Sequence, residues 1–267
     1  MTAPTNTAPT SVLGSEPKAP VTIRVAAAGD IHCDDSSGGA VQEAFAALEG
    51  NADVILLAGD LTTHGEPAQA AVLAEACRDL TIPVAAVLGN HDHHAGRAEE
   101  AVAVLSEAGI DVVDRGHAIY TAGGCQVGVA GAKGFVGGFH GLGLPDFGEP
   151  SLRAIYAETG AEVDALARGL TAIALCPFRI ALLHYAPLSE TLHGESTEIW
   201  TLLGSDRLAA PLLEHRPDLV LHGHAHAGAF EASLDGIPVH NVSVPVIGRD
   251  FWIFELTSAE RVPGPLH

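Results

Sequence analysis

The chain has 267 residues, 47% of them hydrophobic and 17% charged, the balance of a packed globular protein and not of a disordered one. Aromatic residues make up only 5%, so the core has to be built from Ala, Val, Leu and Ile. Thirteen basic against 33 acidic side chains give a net charge of −20, which argues against a nucleic-acid-binding surface, since such surfaces rest on Lys and Arg.

Residues 1–20 are rich in Thr, Pro and Ala and lack an apolar h-region. They read as a flexible tail and not as a signal peptide. Short apolar runs then alternate with helix-like segments. VTIRVAAAGDIH (21–32) precedes GGAVQEAFAALEG (38–50), ADVILLAGD (52–60) precedes EPAQAAVLAEACRDL (66–80), and IPVAAVLGNHD (82–92) precedes RAEEAVAVLSEAG (97–109). Short apolar runs of this kind suit strands buried on both faces, and their alternation with helices predicts a parallel sheet with right-handed crossovers. A strand is expected at 125–130, then a glycine-rich loop (131–150), a long Ala-rich helix (151–174), and further strands in FRIALLHYAP (178–187) and DLVLHGHAH (218–226). Strand-like stretches at 229–234, 237–244 and 251–256 follow, hairpin-spaced with a turn at Asp235-Gly236. Residues 258–267 read as a second tail. Between the tails, 21–257 shows no repeat and no long linker, so one domain is expected, with two sheets packed together and helices outside.

No stretch reaches the about 18 uninterrupted apolar residues of a membrane span. Cys33, Cys77, Cys125 and Cys176 are scattered, which disfavours a zinc ribbon or disulfide framework and fits a reducing cytosol. A cytoplasmic protein is expected.

Polar residues gather where the apolar runs end, the edge at which open α/β sheets place their ligands. In order these are Asp30 and His32, then Asp60, then Asn90, His91 and Asp92, then His184, then His224 and His226. If the backbone there stays extended, the two-residue spacings 30/32 and 224/226 put each pair on one side. Asp60 and Asn90 offer oxygen; the histidines offer imidazole nitrogen. Donors without thiolate suit a hard to borderline divalent cation. Seven of them, Asp30, His32, Asp60, Asn90, His184, His224 and His226, exceed what one catalytic zinc takes, which points to two ions sharing a carboxylate. Each residue alone means little; their joint order at five strand ends carries the reading.

The series Asp30-x-His32, Gly59-Asp60 through Gly65, Gly89-Asn90-His91-Asp92, His184 and Gly223-His224-x-His226 resembles the calcineurin-like metallophosphoesterase family, close to its small bacterial phosphodiesterase branch. The resemblance implies an α/β fold, a four-layer α/β/β/α sandwich of two packed mixed sheets flanked by helices. It implies two divalent ions, Mn, Fe, Zn or Co, one on Asp30, His32, Asp60 and His226 and the other on Asp60, Asn90, His184 and His224. It further implies hydrolysis of a small phosphodiester or phosphomonoester by a metal-bridging hydroxide, with His91 as the acid and Asp92 orienting it. Phosphoprotein phosphatases of this family carry GDYVDRG and HGG, where this chain has Gly59-Asp60-Leu61-Thr62-Thr63-His64-Gly65 and His184-Tyr185-Ala186, which disfavours phosphoprotein substrates. A nuclease, a nucleotide-sugar pyrophosphatase and a non-catalytic scaffold of the same fold are the alternatives. The HxHxDH signature of metallo-β-lactamase-like hydrolases is absent. His64, His93, His94, Arg97, Lys133, His140, His193 and Glu195 are weaker candidates for the pocket rim, and His222 reads as structural.

Overall fold

The computed structural model describes residues 20–258; the tail expectations for 1–19 and 259–267 lie outside the described residues. In chain order the elements are β1 (Thr22–Ala28), α1 (Gly38–Ala46), β2 (Val54–Ala58), α2 (Pro67–Cys77), β3 (Val84–Val87), α3 (Ala98–Glu107), β4 (Ile110–Val112), β5 (Gly116–Ala122), β6 (Cys125–Ala132), α4 (Pro150–Ala172), β7 (Phe178–Leu183), α5 (Trp200–Leu203), α6 (Ala209–His215), β8 (Leu219–His222), β9 (Glu231–Leu234), β10 (Ile237–Asn241), α7 (Val244–Ile247) and β11 (Trp252–Thr257). Short 3-10 turns interrupt the loops, one of them over His91–His93.

Two sheets form, in the orders β11-β1-β2-β3-β4 and β5-β6-β7-β8-β10-β9. Each is mixed. β1 to β4 run parallel with β11 antiparallel on β1, and β6, β7, β8 and β10 run parallel with antiparallel β5 and β9 at the edges.

Side-chain alternation sorts the core into layers. Ala26, Ile55, Leu57 and Ala86 face α1, α2 and α3, where they meet Phe45, Leu73 and Leu105. Their strand neighbours Val25, Ala27, Val54, Leu56 and Val87 face the other sheet, against Val127, Val129, Ile180, Leu182 and Leu221. On the far side Ala130, Ala181, Leu183 and Val220 pack beneath Leu166, Leu170 and Leu212 of α4 and α6. Helix, sheet, sheet and helix therefore stack as the motif pattern implies.

One local expectation is corrected, and two strands are added. The strand at 251–256 does not extend the hairpin of β9 and β10; β11 crosses to the other sheet and pairs with β1, Thr22 opposite Thr257. Its alternating exposure suits an edge strand with one face packed on the core, and long-range packing selects β1 as its partner. β4 and β5, between α3 and β6, are additional strands that the apolar pattern does not announce.

Candidate metal centre

The parallel strands β1, β2, β3, β7 and β8 end at Ala28, Ala58, Val87, Leu183 and His222. One to four residues later come Asp30, His32, Asp60, Asn90, His184, His224 and His226. Backbone bonds tie the two sheet edges together here: Gly29 N–H donates to the Val242 carbonyl at 2.8 Å, and Val244 N–H donates to the Gly29 carbonyl at 2.9 Å.

The extended backbone assumed for the 30/32 and 224/226 pairs is not what forms. Asp30, His32, Asp60 and His224 have φ of 57°, 49°, 48° and 69°, the left-handed region that costs a non-glycine residue free energy. Left-handed residues let the chain turn sharply, so the pairs converge through tight loops and not through strand alternation.

The convergence is close. Ligand atoms of Asp30, His32, Asp60 and His226 lie within 4.8 Å of one another, as do those of Asp60, His184 and His224, with Asp60 in both groups. Asn90 joins the second group, its Oδ1 3.0 Å from His184 Nε2. Asp30 and Asp60 are almost wholly buried. Two glycines make room for them. A Cβ on Gly89 would collide with the carboxylate of Asp60, and one on Gly223 with that of Asp30.

Hydrogen bonds fix which imidazole atom faces inward. His184 Nδ1–H donates to the Ala58 carbonyl at 2.8 Å, which leaves a lone pair on Nε2, 3.5 Å from Asp60 Oδ1 and facing the Asn90 oxygen. His224 Nε2–H donates to the Leu202 carbonyl at 3.2 Å, so its inward nitrogen is Nδ1. Burial pushes the His224 ring down to about 3, so it is a neutral donor. Burial raises the Asp30 carboxyl, but the hydrogen bond from His226 (2.8 Å) and the nearby imidazoles outweigh it, and the net direction is down. Apart from the proton that His226 gives Asp30, lone pairs and carboxylate oxygens face one another here, with His32 Nε2 3.9 Å from Asp60 Oδ2 and the buried His32 Nδ1 without a hydrogen-bond partner. A divalent cation fits such a donor set.

His91 and Asp92 stand differently from what was expected. His91 N–H donates to Asp60 Oδ1 at 2.8 Å, and its ring Nδ1–H to the Thr63 carbonyl at 2.9 Å. Its Nε2 points inward, 3.9 Å from Asp60 Oδ2. The ring is therefore oriented by Thr63 and not by Asp92. The Asp92 carboxylate instead accepts from Leu61 N, Thr62 N, Thr62 Oγ1 and Gly89 N at 2.6–3.1 Å. Burial raises its pKa despite these bonds. It ties the loop carrying Asp60 to the loop carrying Asn90 and His91, a structural task that its burial between two motifs explains.

The weaker candidates divide. The His94 ring lies 4.4 Å from the His91 ring, while His93 is exposed and exposed His64 holds Gln69. Arg97 is engaged by Glu66 and Glu100. His140 Nε2 is 2.6 Å from Ser189 Oγ, and His193 lies against Trp200. Glu195 accepts from Ala227 N at 2.7 Å and so braces the loop of His226. His222 is buried between the Gly223 carbonyl and Thr191 Oγ1. Cys33 is buried, which pushes its thiol up to about 12 and leaves it a core residue. Sequence reasoning missed Thr62, Thr63, Tyr185 and Leu202. Thr62 and Thr63 lie inside the Gly59–Gly65 motif, a signal that could have found them; Leu202 acts through a backbone carbonyl and leaves no sequence signal.

The described residues contain no helix long and apolar enough to cross a membrane. No curated protein matches the chain. Among solved structures, phosphopantetheinyl hydrolase from Mycobacterium tuberculosis is similar, with a TM-score of 0.61 and 15% identity over 82% of this chain and 88% of that one. TT1561 of Thermus thermophilus gives 0.53 and 19% over 87% and 98%. GAP50, the anchor in the inner membrane complex of Plasmodium, gives 0.53 and 14% over 84% and 72%. At these identities the likeness is one of fold. The family model for calcineurin-like phosphoesterases matches residues 23–228, a span that runs from β1 past His226 and takes in every converging donor. The chain belongs to the calcineurin-like phosphoesterase family.

Proposed function

We propose that this protein hydrolyses a small phosphodiester or phosphomonoester at a pair of divalent cations. The observation that carries the reading is the position of Asp60 in both donor groups. One cation would be held by Asp30, His32, Asp60 and His226, the other by Asp60, Asn90, His184 and His224. Oxygen and imidazole donors without thiolate suit Mn, Fe, Zn or Co. When bound, such a pair supplies Lewis acidity at the phosphoryl oxygens and a water activated near neutral pH.

The chain's own residues supply the rest. The left-handed loops and the imidazole N–H bonds to the carbonyls of Ala58, Leu202 and Thr63 hold the donors before substrate arrives, so little reorganisation is left for the reaction. His91, fixed at Nδ1 by Thr63, presents Nε2 beside Asp60, where a proton on that atom would reach a leaving oxygen. Asp92 keeps His91 in register with Asp60 through backbone bonds.

The fold by itself does not decide for catalysis, since GAP50 shares it and is described as an anchor. The complete donor set and the inward His91 support an enzyme. Purified protein supplied with Mn²⁺ or Fe²⁺ should hydrolyse bis-p-nitrophenyl phosphate or p-nitrophenyl phosphate. No turnover of either under metal-loaded conditions would favour the scaffold.

A further inference from the structure

Beside the metal centre stands a cation that the proposed chemistry leaves unused. Lys133 follows directly on β6, and its carbonyl accepts from both His184 N (3.0 Å) and Tyr185 N (2.9 Å). The residue is thereby fixed to the strand end that carries a donor of the second group. Its ammonium lies over two aromatic rings, 4.4 Å from the centre of Phe135 and 5.1 Å from that of Tyr185. The Tyr185 ring also borders the donor set itself: its centre is 4.5 Å from that of His224 and 5.4 Å from that of His184. The Tyr185 ring therefore borders both the ammonium and the candidate metal centre.

Among the described residues Lys133 forms no ion pair within 4.0 Å. The one hydrogen bond of Nζ goes to the Gly134 carbonyl at 3.0 Å, which leaves two N–H donors unassigned. Three carboxylates, of Glu162, Asp114 and Glu158, lie in the neighbourhood, but each is engaged elsewhere, Glu158 by Arg115. Glu162 accepts from Arg115 Nε at 2.9 Å and from Gly134 N at 3.0 Å, and Asp114 accepts from Leu88 N at 3.0 Å. Lys133 is half-buried, so part of it stays open to solvent. In a chain of net charge −20, an unpaired ammonium next to an anion-processing centre is a place where a second negative charge can be received.

We infer that Lys133, propped on Phe135 and Tyr185, is a specificity-determining residue that receives a second phosphate of the substrate, joined to the one that the metal centre attacks. The preferred substrates would then be pyrophosphate-linked esters, in which the group beyond the scissile phosphorus still carries negative charge. This rests on the phosphoesterase reading. It adds that simple esters with a single phosphate use the site incompletely.

The bland alternative is that Lys133 only balances the charge of Glu162, Asp114 and Glu158. Two measurements separate the readings. Metal-loaded protein is titrated calorimetrically with methylenediphosphonate and with methylphosphonate, metal content being checked after each titration. The wild type should prefer the diphosphonate, and Lys133→Gln should lose about tenfold or more of that preference, while Lys133→Arg retains most of it. In parallel, the ratio of kcat/KM for a P¹,P²-bis-p-nitrophenyl pyrophosphate to that for bis-p-nitrophenyl phosphate should fall in Lys133→Gln, chiefly through KM. An unchanged preference and ratio in Lys133→Gln, with or without a loss of thermal stability, would overturn the subsite and leave charge balance as the role of Lys133. Absence of turnover in the metal-loaded wild type would overturn the phosphoesterase reading, and the subsite with it.

Discussion

From Ala26 to Ala28 and from Val54 to Ala58 every residue is completely buried and apolar, in regular parallel pairing. Two residues beyond each stretch, Asp30 and Asp60 are buried too, but charged and in left-handed backbone. The strand interiors satisfy each local rule of packing and pairing at once. The loops at their ends break two of those rules together, by burying carboxylates and by holding non-glycine residues at positive φ. Among the described residues, four of the eight non-glycine residues with positive φ are candidate ligands. The contrast teaches that the layered core supplies the stability, and the site costs some of it in return for a fixed constellation of donors.

If that division is right, changes in the two regions should have separable effects. The largest is expected from His91→Ala, which should lower kcat by about 10²- to 10⁴-fold while elemental analysis finds the metal retained; loss of metal would move His91 among the ligands. Leu57→Ala, wholly within the helix-facing core, should cost about 2–5 kcal/mol in urea unfolding yet leave metal content per folded chain unchanged. Gly89→Ala should break the separation, because its Cβ would strike Asp60. We expect a loss of about 1–3 kcal/mol from overpacking together with weakened metal binding, and a variant that loses neither would contradict the close approach drawn here.

A further effect concerns pH. Burial holds the Asp114 carboxyl up at about 7, with Glu162 and Asp92 adding to the shift and the hydrogen bond from Leu88 opposing it. Its folded pKa exceeds the ordinary 3.8, so this group favours the fold most at low pH, and that contribution fades as the pH rises from about 4 to 7. Asp114→Asn should flatten this part of the stability profile, measured as the urea midpoint against pH. An identical slope in the variant would remove Asp114 as its source.

Much of this organisation is legible in the residues. The apolar runs mark β1, β2, β3, β7 and β8 because strands buried on both faces need no alternation, and the helix-like segments fall on α1 to α4. The donors are legible as types in a fixed order at strand ends. Three things are not. β11 reads as a strand, but its choice of β1 over the β9–β10 hairpin depends on long-range packing that no local pattern carries. The left-handed turns at Asp30, His32, Asp60 and His224 fall on residues with no intrinsic need for them, so only tertiary context imposes them. The bonds that select the imidazole tautomers come from the carbonyls of Ala58, Thr63 and Leu202, and any residue type can offer a carbonyl. For the same reason Asp92, adjacent to His91 in sequence, looks like its orienting partner until its carboxylate is seen among four other donors.

The shared carboxylate is tested most directly by counting bound metal in the wild type and in Asp60→Ala after equilibration with Mn²⁺ and removal of free ions. The account predicts two ions per wild-type chain and fewer than one in the variant, with the fold intact by circular dichroism. Two ions retained in Asp60→Ala would contradict it.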